Sequence, residues 1–184
     1  GDEEVGGYLD SWIQFLDTPS FTVPGGASLT ADMMWTIEDP AGAVVGGSCT
    51  DGWDAANVQI SVDGGENWSL LNGSDPYDFD CGYGWIWNSP EYDTGGSLNH
   101  LAAGWGGNAD WHNVSFNLAQ YAGQNAIIRF AFGSDPAYCT LDDGGITGFH
   151  VDNISVSGSL DCSPESNCEF AASGAVWVDQ FYDY

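Results

Sequence analysis

Along much of this chain apolar residues take every second position, the period at which successive side chains point to opposite faces of a β-strand. In 57–62, Val58, Ile60 and Val62 alternate with Asn57, Gln59 and Ser61, which predicts a strand with one buried and one solvent-facing side. Asp63-Gly64-Gly65 follows, then the apolar run 68–71, a hairpin joined by a tight glycine turn. Val114, Phe116 and Leu118 alternate with Asn113, Ser115 and Asn117, and Ile128, Phe130 and Phe132 with Ile127, Arg129 and Ala131. Segments 12–16, 29–37 and 149–156 supply further strands. Helical periodicity is nearly absent, and only 121–124 predicts a short turn of helix, between two strands. The pattern predicts an all-β antiparallel β-sandwich.

Three long segments, 39–53, 72–110 and 134–146, interrupt the strands. If consecutive strands run antiparallel, all three emerge at one end of the sandwich. They carry Cys49, Cys81 and Cys139, so a disulfide among them would tie two loops together, with one thiol left over. They also carry Trp53, Tyr77, Phe79, Tyr83, Trp85, Trp87, Tyr92 and Trp105. After residue 158 the character changes. Cys162 and Cys168 enclose a short polar loop and predict a local disulfide. The apolar, strand-like tail 175–184 that follows has no hairpin partner nearby. The chain thus divides into a sandwich domain, 1–158, and a disulfide-pinned C-terminal strand, 159–184.

Charge narrows the function classes. The 184 residues include 27 acidic side chains and a single basic one, Arg129, for a net charge of −26. Such a chain repels nucleic acid and anionic membrane surfaces. Its carboxylates must face water, bind cations or take up protons, because internal cations are missing. Arg129, mid-strand, is expected to meet a carboxylate in a structural role. The abundance of aromatic rings argues against disorder. No apolar run is long enough to span a membrane. No basic-then-apolar leader is present, and the start Gly1-Asp2-Glu3-Glu4 is that expected of a processed N-terminus. Cysteine usage and the sequons at Asn67, Asn72, Asn113 and Asn153 point to an extracellular or cell-surface glycoprotein.

Candidate chemistry follows from the acids. Asp is a short, rigid oxygen ligand, and Asp-rich loops supply the carboxylates and carbonyls that calcium prefers. Asp51 and Asp54 begin the strand after the first long loop, while Asp135, Asp142 and Asp143 lie in the loop before the last strand. The competing reading is that such Asp residues cap turns before Gly, as in Asp51-Gly52 and Asp143-Gly144. Trp53, Tyr83, Trp85, Trp87 and Trp105 are candidates for stacking on sugar rings. A loop of nearly 40 residues also needs a core of its own, which favours packing for Trp85 and Trp87. Scattered His residues speak against zinc. No nucleophile elbow, His-Glu-x-x-His or phosphate loop occurs, so the chain does not read as an enzyme.

Two stretches together carry a family resemblance. Asp51-Gly-Trp-Asp-Ala-Ala-Asn-Val-Gln-Ile-Ser-Val-Asp-Gly-Gly-Glu-Asn-Trp68 is the first; Trp111–Gln124, Ile128–Asp135 and Gly148–Val156 form the second. Together they resemble the jelly-roll modules of secreted bacterial proteins, among them MAM-like domains and the C-terminal modules of immune-inhibitor-A-type metallopeptidases. The resemblance covers roughly residues 8–158. It implies a jelly roll that binds or assembles, often with a structural calcium ion, and it places a ligand at Asp152. Such modules begin with an acidic-aromatic strand that is missing before Trp12, and its nearest match, 178–181, lies at the opposite end.

This implies a non-catalytic structural or adhesive module that joins copies of itself or tandem neighbours, supported by calcium. Its tail, through Val176, Trp177, Val178 and Phe181, would add to the sheet of the next subunit as a filament or surface-layer contact. The alternative is a carbohydrate-binding module of a secreted hydrolase or protease.

Overall fold

The structure is a computed structural model that describes residues 6–45, 49–88 and 100–159. Strands β1 (Ile13–Asp17), β2 (Phe21–Thr22), β3 (Gly25–Thr36), β4 (Asp51–Gly52) and β5 (Ala55–Ser61) come first. They are followed by β6 (Ser69–Leu70), β7 (Cys81–Gly82), helix α1 (Tyr83–Asn88), β8 (Asn108–Asn117), β9 (Asn125–Gly133) and β10 (Gly148–Ser159). One sheet runs β1-β9-β5-β6, with β2 also on β9; the other runs β10-β3-β8, and all these pairings are antiparallel. Apart from the β5–β6 hairpin that the glycine turn predicts, the central strands pair with partners distant in sequence, so the chain crosses repeatedly between two layers. The result is the all-β sandwich that the alternation predicts.

The two inner faces supply the core. Leu29, Ala31, Met33 and Trp35 on β3 and Val114 and Phe116 on β8 face Val58, Ile60, Ile128, Phe130 and Phe132 from the other sheet. Burial of these side chains is the main driving force for closing the layers.

Strand β5 departs from expectation. Its polar alternates were expected in water, yet Asn57, Gln59 and Ser61 are buried. The segment between β6 and β8 folds back over this outer face and forms a second small core of Ala55, Phe79, Trp85, Ala102 and Ala131. Asn57 Nδ2 donates to the carbonyls of Leu101 and Ala103 at 2.9 and 2.8 Å, so the buried amide is satisfied by the covering loop. Helix α1, which the periodicity does not signal, sits close on β9. A side chain at Gly84 would collide with the backbone of Gly133, so only glycine allows that approach.

The strand registers put the ends of β3 and β9 and the starts of β1, β5, β8 and β10 at one end of the sandwich. The described parts of 39–53 and 134–146 therefore gather there, as expected, whereas 72–110 starts beside Ser115 and Phe116 near the opposite end and reaches this end only after crossing the sandwich. A Cys49–Cys81 disulfide joins 39–53 to 72–110 beside the parallel β4–β7 pair, and among the described residues Cys139 is a free, buried thiol. The turn expected at 121–124 is a single 3-10 turn, Ala119–Tyr121. Arg129 is held as expected and more tightly. Its guanidinium forms a bidentate pair with Asp17 at 2.7 and 2.8 Å and lies between the rings of Phe15 and Trp68. Among the described residues no helix is long and apolar enough to cross a membrane. Tyr92, Cys162, Cys168, Val176, Trp177, Val178 and Phe181 lie outside the described residues.

Candidate metal centre

At the long-loop end the chain brings together three carboxylates from three strand ends. Glu38 follows β3, Asp54 immediately precedes β5 and Asp135 follows β9. One oxygen from each lies within 4.8 Å of the others. Asp54 is 0% exposed and Asp135 is buried.

Neighbouring backbone fixes each position. Asp54 is set by the β4–β7 pair and by the Gly84 N–H, which donates to the Trp53 carbonyl at 3.0 Å. Asp135 donates its own N–H to Asp54 Oδ1 at 2.8 Å, and its carbonyl accepts from Ser11 at 2.6 Å. Ser134 bonds back to Leu9 and Trp12, so the segment before β1 straps this corner down. The Glu38 carbonyl accepts from Gly107 at 3.0 Å, which anchors the first loop to the start of β8.

The electrostatics are strained. Burial pushes the Asp54 carboxyl up to about 7, partly opposed by the Tyr8 hydroxyl and the Asp135 N–H beside it. Burial, then the charges of Asp54, Asp135 and Asp10, push Glu38 up to about 8. Asp135 is raised by burial too, and Tyr8 is driven upward by burial and by Asp54. Asp54 Oδ2 and Glu38 Oε2 are buried without a hydrogen-bond partner. The Tyr8 hydroxyl lies near Asp54, but no hydrogen bond of good geometry joins them. Two acids with unmatched buried oxygens, facing a third in a chain whose one arginine is engaged by Asp17, form a set that a hard cation would complete. An all-oxygen donor set suits hard cations such as calcium, magnesium or manganese rather than zinc or copper.

The sequence candidates separate on this map. Asp54 and Asp135 belong to the cluster, and Glu38, which sequence reasoning missed, completes it. Its signal was position: an acid two residues beyond a core strand, at the end where the loops gather. Asp51 lies elsewhere, in β4, and accepts the Val45 N–H at 3.0 Å from across the first loop rather than capping a turn before Gly52. It also neighbours Cys49 and Cys81, whose sulfurs are spent in the disulfide. Asp142 and Asp143 cap their own turn through the N–H groups of Cys139 and Gly145. Asp152 is on the outer face of the β10-β3-β8 sheet, opposite Asp32, far along the strand from the cluster.

The aromatic candidates also divide. Trp85 is 0% and Trp105 1% exposed, so both rings serve packing. Trp53, Tyr83 and Trp87 form a chain of edge-on contacts at 6.2 and 5.7 Å, and Trp87 is 53% exposed at its end. Asn67, Asn72 and Asn113 are exposed; the Asn67 amide donates to Asp63 at 2.7 Å and that of Asn113 to Asp32 at 2.9 Å.

The fold and this corner define an antiparallel β-sandwich with a buried acidic centre. No protein-family model matches the sequence, and no curated protein matches it.

Proposed function

We propose that this chain is a non-catalytic extracellular module whose long-loop end is held rigid by a calcium ion on Glu38, Asp54 and Asp135. One observation carries the reading: buried carboxylates with unpartnered oxygens converge from three strand ends in a chain whose one arginine is engaged elsewhere. The Cys49–Cys81 bond supports an oxidising compartment. The role of the ion is structural. It neutralises three acids that otherwise repel one another and links β3, β5 and β9 where their loops diverge. The jelly-roll resemblance to secreted bacterial modules agrees with this reading. Calorimetric titration of the chelated protein with calcium is expected to show one saturable site, lost in Asp54→Ala and kept in Asp51→Ala. No heat of binding, or an unaltered site in Asp54→Ala, sinks the proposal.

Assembly with copies of itself or tandem neighbours is the second part of the reading. Among the described residues no strand pairs with the far edge of β10, the kind of edge that strand addition uses. Light scattering with calcium present is expected to show species larger than the monomer, lost when the chain is cut before Gly174. A single monomeric mass for the intact chain rejects that part alone.

A further inference from the structure

A second surface uses none of the metal-centre residues. The outer face of the β10-β3-β8 sheet is built in rows across its three strands. Thr30 lies between Ser155 and Ser115, and Ser28 between Ser157 and Asn117. Asp32 lies between Asp152 and Asn113. At the upper end His150 pairs with Met34, and beside it Trp111 stands at the register shift of β8. Trp111 is 51% exposed, and its ring lies 6.5 Å from that of His150. Same-face rows along a strand recur roughly every 7 Å.

The polar row is set in advance. Asp32 accepts the Asn113 and Asn153 amides, one on each carboxylate oxygen, at 2.9 and 2.8 Å. Asn153 adopts φ 50° at a bulge in β10, and its N–H donates to Asp152 Oδ1 at 2.7 Å. Bulges re-aim side chains, and this one turns an amide across the sheet onto Asp32.

We infer that this face binds a neutral polysaccharide, with Trp111 as the stacking platform and Asp32, Asp152 and Asn113 as hydroxyl partners. A large exposed ring amid hydroxyls, amides and carboxylates matches the two sides of a sugar, an apolar C–H face and a rim of hydroxyls. A protein-docking surface would instead have an apolar centre, which this polar face lacks. Two carboxylates, with no lysine or arginine in these rows, repel glycans bearing uronate or sulfate. A neutral chain is the occupant left.

Affinity electrophoresis in calcium-containing buffer tests this, with galactomannan, xylan and mixed-linkage β-glucan as neutral probes and hyaluronan as the anionic control. At least one neutral polymer is expected to retard the protein, and hyaluronan is not. Trp111→Ala is expected to weaken retardation roughly tenfold or more, the loss of one dominant contact. Trp111→Phe should keep part of it, Asp152→Ala should weaken it less, and Trp87→Ala should leave it intact. Thermal melts of Trp111→Ala and Asp152→Ala should match the parent, since both side chains point outward. The inference is overturned if none of the three neutral polymers retards the chain, if hyaluronan retards it equally, or if Trp111→Ala and Asp152→Ala both bind like the parent.

Discussion

Strand β5 has an aspartate just beyond each end, and the two have opposite surroundings. Asp54 enters a closed corner with Glu38 and Asp135, where burial pushes its carboxyl up to about 7. Asp63 stands in an exposed turn. There its oxygens accept the Ser61 hydroxyl and the Asn67 N–H and amide, at 2.8, 2.9 and 2.7 Å, and its carboxyl is held down to about 2. The side chain and the strand are the same; what differs is whether donors or other carboxylates meet the oxygens. A chain with 27 acids and one base can satisfy most acids as it does Asp63, with turn donors and water. Where burial forbids that, the remaining means are protons or a cation.

Removing the cation is expected to give the largest effect. If calcium binds the folded state alone at a thousandfold excess over its Kd, it contributes about 4 kcal/mol. For a chain of this size that corresponds to roughly 8–16 °C in melting temperature on adding chelator. Asp54→Asn should abolish the calcium response. In chelator it should melt no lower than the parent, because it removes a buried, unpaired charge. A chelator shift that survives in Asp54→Asn would dissolve the contrast between the two ends of β5.

The disulfide comes next. Cys49 and Cys81 are 32 residues apart and clamp β4 to β7 beside Asp54. Replacing both by Ala is expected to cost about 2–4 kcal/mol. Because both devices hold one corner, their effects should couple, with chelation hurting the disulfide-free variant by a different amount than the parent. Strict additivity in a double-mutant cycle of calcium and disulfide would show that they hold separate parts.

Protonation gives a smaller and opposite pair of effects. In chelator the raised groups Glu38 and Asp54 bind more protons when folded than when unfolded. Their contribution is present below the ordinary carboxylate range and is lost as pH rises through about 7 to 8. The chelated protein should therefore melt lower at pH 8 than at pH 5. Calcium should remove or reverse that slope, because it holds the carboxylates ionised. Melting scans across this range in both buffers decide it, and a chelated protein that gains stability toward pH 8 contradicts the burial argument.

The parts of this molecule that could be read in sequence are those where one local pattern decides the outcome. β3 alternates along its whole length because one face meets the core, and β8, β9 and β10 alternate outside their bulges and the covered end of β9, so their periodicity predicts them. β5 alternates as well, but its polar positions are buried beneath a loop from elsewhere in the chain, which no local pattern records. Helix α1 is six residues long and contains Gly84, too short for a 3.6-residue period to emerge. Asp54 and Asp135 were recognisable as acids at strand ends, yet Asp51, Asp142 and Asp143 looked the same; Asp142 and Asp143 cap turns, and Asp51 accepts an N–H from across the first loop. Only pairing across the sheets separates the two groups, and the same pairing adds Glu38. The tryptophans make the point again: the length of their loop favours packing for both Trp85 and Trp87, two residues apart, yet Trp85 is core and Trp87 is half in water.

The smallest expected effect belongs to Asp63 and tests the other half of the comparison. Its carboxyl lies below the ordinary range because folded-state donors favour the charged form, first among them the Asn67 amide. Such a group contributes stability above the unfolded carboxylate value, near 4, and that contribution is lost as pH falls through about 2. This slope is opposite in sign to that of Asp54 and lies in a lower window. Because the turn is exposed, Asp63→Ala should barely move the global melt. It should speed hydrogen exchange at the Asn67 N–H, which loses its acceptor, and leave exchange in β9 unchanged. An NMR titration of the Asp63 carboxyl should find its midpoint well below 4. A midpoint at the unperturbed value would mean that the turn donors do not favour the charge. The two ends of β5 would then differ by burial alone.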